Sequence, residues 1–147
     1  MPRTSPEPNW QPLAQIPTIA WAINGMADSA EAQKRNLAET ATRPGVLDDS
    51  TLHRLTAAFS QQKGDLWLYV EQLRRWRRER LTPAQDAAIA LLEQRLATLT
   101  ADVTAILDMA EQQRGQTIEA ILNRNPGELA LDIITGKRSP PGERKPR

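Results

Sequence analysis

The chain has 147 residues, 39% of them hydrophobic and 25% charged, with a formal net charge of +1. That length suits one domain with a single sizeable core, and that balance argues against both wholesale disorder and a polycation built for nucleic acid. With no cysteine in the chain, disulfides, thiolate metal sites and cysteine nucleophiles are excluded.

The first dozen residues hold Pro2, Pro6, Pro8 and Pro12, too close together for a helix, so residues 1–12 are expected to form an extended Pro-rich arm with Trp10 as its anchor. This stretch lacks the apolar centre of a signal peptide. No run along the chain approaches the ~20 apolar residues of a membrane span, so a cytoplasmic protein is expected.

Residues 13–136 read as a single helical bundle domain. β-Branched and aromatic residues are sparse and do not alternate, so no strand is expected. A first helix is predicted from about Pro17 to Thr42, its apolar stripe formed by Ile16, Ile19, Ile23, Ala27, Ala30, Leu37 and Ala41. Arg43-Pro44-Gly45 ends it.

The second helix starts at Asp48, Asp49 and Ser50, where acidic N-caps suit the positive end of the helix dipole. Leu52, Leu55, Phe59, Leu66, Tyr69, Leu73 and Trp76 follow the 3-4 spacing of a coiled-coil-like seam, with Gln62 filling the gap. Two readings of Gln62 stand. It is a polar core residue that fixes register, or Gly64 kinks the helix and turns it outward.

Thr82-Pro83-Ala84-Gln85 is a capping box that opens the third helix. Ile89, Leu92, Leu96, Leu99, Val103, Ile106 and Ala110 repeat the same spacing. Two matched seams joined by a short turn make an antiparallel helical hairpin, with Trp76 expected near Ala84 and Ala88. Beyond Gly115, Thr117 to Leu122 reads as a short helix. Asn125-Pro126-Gly127-Glu128 opens another, which runs to Gly136.

The tail, KRSPPGERKPR, sets Lys137, Arg138, Arg144, Lys145 and Arg147 against Glu143, a net +4 that leaves −3 on the other 136 residues. Its composition reads as a disordered basic tail over 137–147. The fold class expected is therefore all-α: a helical bundle built on a long antiparallel hairpin, with an N-terminal helix and short C-terminal helices packed on it.

LRRWRRER, Leu73 to Arg80, resembles a nucleic-acid grip at first sight. Arg74, Arg75, Arg77, Arg78 and Arg80 are the candidate contacts for nucleic acid or another acidic partner. On a wheel of about 100° per residue they encircle the helix and form no single stripe that could track phosphates. They also sit where positive charge complements the negative end of the dipole. A helix end is the favoured reading, and a nucleic-acid-associated protein using this cluster and the basic tail is the alternative.

Chemistry-bearing patterns are sparse. His53 is the one histidine, with Asp49 four residues before it on the same face, but a di-iron bundle needs two Glu-x-x-His units. There is no Gly-rich phosphate loop and no G-x-S-x-G elbow. No catalytic residue, metal site or cofactor is assigned. Trp21 lies about 160° from Ile23 and Trp67 about 100° from Leu66, while Leu91 and Met109 share a flank about 100° from Leu92. Large apolar groups off the main stripe suggest a second contact, so these four are the candidate protein interface. The expected function is that of a small non-enzymatic interaction protein, acting through helix faces with a protein partner or as a homodimer.

Overall fold

The computed structural model describes residues 7–122 and Ile134. The helix expected between Asn125 and Gly136 and the basic tail lie outside them, apart from Ile134, which is helical and exposed. Residues 7–12 have no regular structure, and a single 3₁₀ turn at Leu13–Gln15 leads into α1 (Ile16–Thr40). Then come α2 (Asp49–Arg77), α3 (Pro83–Gln113), a second 3₁₀ turn at Arg114–Gln116, and α4 (Ile118–Leu122). The protein is an all-α helical bundle, with no strand among the described residues.

The three long helices run up, down and up. Asp28 meets Arg95, Lys34 meets Asp102 and Thr40 meets Gln113, so α1 and α3 are parallel. Arg77 bonds Asp86 across the α2–α3 turn, which makes that pair antiparallel. Both α1 and α2 pack chiefly against α3. The hairpin is present as the seams predict, but α1 lies along α3 at least as extensively as α2 does.

All seven residues of the α3 stripe are buried, and Ile89, Leu99, Val103 and Ile106 have no exposed surface. From α1 the core takes Ile16, Ile23, Ala27, Ala30 and Leu37, with Ile19 partly buried and Ala41 exposed. From α2 it takes Phe59, Leu66, Leu73 and Trp76, with Leu55 and Tyr69 at its edge. Gln62 is half-buried and α2 runs unbroken through Gly64. Gly115, by contrast, lies where α3 gives way to a 3₁₀ turn.

Helix starts match their local sequence. Asp48 caps α2 by accepting from the Thr51 amide at 2.7 Å. At α3 both halves of the capping box are made, Gln85 N to Thr82 Oγ1 at 3.1 Å and Thr82 N to Gln85 Oε1 at 2.9 Å. Gly45 is the one described residue at positive φ, 85°, and it turns the α1–α2 connection back onto the end of α3. Its amide donates to the Gln116 carbonyl at 2.7 Å, and the Ile118 amide donates to the Leu47 carbonyl at 3.1 Å. The short α4 is thereby clamped against the start of α2, where the Glu119 carboxylate accepts from the Asp49 amide.

Leu99→Ala is expected to lower unfolding free energy by about 2–5 kcal/mol in denaturant melts, the usual range for truncating a core leucine. Hydrogen bonds from Thr51, through its side chain first and its amide second, hold the Asp48 carboxyl below its ordinary value of 3.8. A depressed folded-state pKa contributes stability above the unfolded value and loses it as pH falls through the folded one. Asp48→Asn, which keeps the acceptor but not the charge, should therefore flatten the loss of stability below about pH 4 in thermal melts followed by circular dichroism.

Candidate interaction surfaces

The arginines at the end of α2 are largely engaged by the chain itself. Arg74 and Arg75 both reach back to Glu71, at 3.1 and 3.4 Å. Arg75 also lies over the Trp10 ring, 4.4 Å from its centroid, in a cation–π contact. Arg77 bonds Asp86 and Glu93, the latter at 2.6 Å, tying α2 to α3. Those bonds, Glu93's first, raise the Arg77 pKa above the ordinary arginine value. Arg78 and Arg80 are exposed and have no ion-pair partner among the described residues. Two such cations on one helix end are a small electrostatic footprint for a phosphate backbone.

The arm's hydrogen bonds to α2 run through the backbone of one residue, Gln11. The Gln72 carboxamide takes the Gln11 amide at 2.6 Å through Oε1 and donates to the Gln11 carbonyl at 3.2 Å through Nε2. That carbonyl also accepts from Trp76 Nε1 at 2.9 Å. Gln72 is buried and Trp76 wholly so, and each finds its hydrogen-bond partner on the backbone of Gln11. Of the two alanines that the seams set near Trp76, Ala88 packs against the core, whereas Ala84 is exposed. Trp10, half-buried, stands edge-on to Trp67 with ring centroids 6.3 Å apart. Trp67 remains 55% exposed, and its aromatic partner comes from its own chain.

The other three candidate interface residues separate. Met109 is partly buried against the core. Trp21 is 80% exposed on α1, and Leu91 is 57% exposed on α3. Leu91 lines an open groove of about 620 Å³ between these helices, with Ala27, Lys34, Arg35, Arg95 and Asp102 among its walls. The Lys34–Asp102 pair bridges it at 3.2 Å, and Arg95 stands 3.8 Å from Asp28 on its rim. Trp21 lies two turns before Asp28 on one face of α1 and is not among the residues that line the groove. Trp67 lies elsewhere, with the arm on α2.

His53 is exposed, and Asp49 turns away from it to accept from Thr117 Oγ1 at 2.6 Å. Among the described residues no group of histidine and carboxylate side chains could hold a metal ion. Sequence reasoning missed the buried polar residues Gln72, Gln113 and Thr117. Gln113 donates to the Leu37 carbonyl at 2.8 Å and accepts from Thr40 Oγ1 at 3.0 Å, fastening the end of α1 to the end of α3. Isolated glutamines on a helix carry no spacing signal. Gln113 could have been found only as the position three residues after Ala110, where the α3 stripe continues.

These observations define a three-helix, up-down-up bundle with an arm strapped to α2 and an open groove along α1 and α3. No family model, curated protein or solved structure matches the chain.

Gln72→Ala should remove two of the three bonds to Gln11 and speed cleavage within residues 7–12 by a protease, while α-helical circular dichroism stays unchanged. Equal cleavage rates in the two proteins would mean that Trp10 and the Trp76–Gln11 bond hold the arm without Gln72.

Proposed function

We propose that the protein is a small, non-enzymatic, cytoplasmic interaction module that works by presenting helix faces to a protein partner or to another copy of itself. One observation carries this reading: Trp21 and Leu91 are both large and both mostly exposed, and Leu91 lines an open groove between α1 and α3. Fully burying a side chain of that size is worth roughly 1.5–3 kcal/mol, so a partner that covered both would gain appreciably. The groove suits docking more than reaction chemistry, because two of its charged walls, Lys34 and Asp102, already neutralise each other. A cytoplasmic setting accords with a cysteine-free chain in which no described helix is long and apolar enough to cross a membrane.

The nucleic-acid reading loses ground because Arg74, Arg75 and Arg77 have partners within the chain. What remains to it is Arg78, Arg80 and the basic residues of the tail.

Affinity capture of the tagged full chain from its native cell, with and without nuclease, separates the two. A protein partner is expected to survive nuclease and to be lost with Trp21→Lys. Binding to DNA or RNA is expected to be weak and to collapse between low and physiological salt, since phosphate contacts release counterions. Tight binding that persists at physiological salt and disappears with Arg78/Arg80 substitution would overturn this ranking.

A further inference from the structure

α1 carries two stripes. One is the buried stripe already described. The other runs along the opposite, solvent-facing side through Trp21, Gly25, Asp28, Ala32, Arg35 and Glu39, all six exposed. Their spacing alternates four and three, the period of a helix–helix seam.

Two members of this outer stripe have no explanation inside the chain. A Cβ at Gly25 would meet nothing within 4 Å, and Gly25 does not have a positive φ. A mid-helix glycine is less stable than alanine, and neither packing nor backbone conformation calls for it here. Arg35, on the same face, has no ion-pair partner among the described residues, although it lines the groove.

We infer that the outer face of α1 is the docking site for a second copy of this chain, with the two α1 helices packed antiparallel about a two-fold axis. This rests on the interaction-module reading and names its partner. In a parallel pair the seam would set Asp28 against Asp28 and Arg35 against Arg35, like charge on like. The antiparallel register of such a seam instead sets Arg35 of one copy opposite Gly25 of the other, and Asp28 opposite Ala32. Arg35 and Asp28 then each face a small residue, and Trp21 faces the other copy's Glu39. The Arg35 guanidinium comes to lie between the other copy's Trp21 and Asp28, one turn away on either side, where it gains both a cation–π contact and an ion pair. The two-fold axis makes every contact twice. Gly25 leaves room for the arginine, and exposed Trp21 gains a cover.

Sedimentation equilibrium of the full chain tests this. The wild type is expected to dimerise at micromolar concentration. Trp21→Ala should weaken it by roughly tenfold or more, the scale for removing an aromatic anchor. Arg35→Glu and Asp28→Lys should each be monomeric with unchanged circular dichroism, because each then faces like charges across the axis. Mixed in equal amounts they should re-form a dimer. The Asp28 kept by the first variant meets the Arg35 kept by the second, and the introduced glutamate meets the introduced lysine. A monomeric wild type overturns the inference, as does a dimer indifferent to both charge variants or a mixture that stays monomeric. A monomeric wild type that still captures a nuclease-resistant protein partner through Trp21 would leave the module reading standing without the second copy.

Discussion

One face of α3 holds the molecule together. Its seven-residue stripe is buried along the whole helix because both neighbours are packed on it, α1 alongside in parallel and α2 antiparallel. A 3-4 stripe on a helix is wide enough for two partners only when it is nearly free of polar groups, and this one consists entirely of aliphatic side chains. α1 and α2 each bring a sparser stripe, with alanines on α1 and a half-buried glutamine on α2, and each depends on α3 to complete its burial. The bundle is a shared wall with two helices leaning on it.

Helices held by one apolar stripe remain free to slide, and polar contacts at the two ends remove that freedom. At the end formed by the last turns of α2, the backbone of Gln11 is shared between Gln72 and Trp76. At the opposite end Gln113 fastens Leu37 and Thr40, while Thr117 and Glu119 fasten Asp49. Leaving a buried amide or indole N–H without a partner costs about 1–3 kcal/mol, so each clasp penalises any register but its own. The apolar stripes supply attraction without position, and the polar ends supply position.

That division explains what the sequence made legible. Helix starts at Asp48 and Thr82, the α3 stripe and the end at Arg43–Gly45 could all be read, because caps and periodicity are local patterns whose physics acts over a few residues. The clasps could not, because Gln11 lies 61 residues from Gln72, and Gln113 lies 76 from Leu37. Trp76 illustrates the limit. Its place on the seam was readable, but the partner for its indole N–H came from an arm whose path no local rule describes. The interface candidates divided on the same line. A wheel angle found the exposure of Trp21 and Leu91, but it could not tell that Met109 would tuck against the core or that Trp67 would meet Trp10.

The two surfaces that carry charge show why residue type alone misleads about function. The end of α2 concentrates five arginines, yet three are engaged by Glu71, Asp86 and Glu93, acids placed one turn back or across the hairpin. The outer face of α1 has fewer charges and attracts no notice in composition. There Arg35 has no ion-pair partner among the described residues, Trp21 has no cover and Gly25 has no reason in the chain's own packing. Surface groups matter for recognition to the extent that the fold leaves their interactions unmade. By that measure the quieter helix face has more to offer a partner than the arginine-rich end of α2.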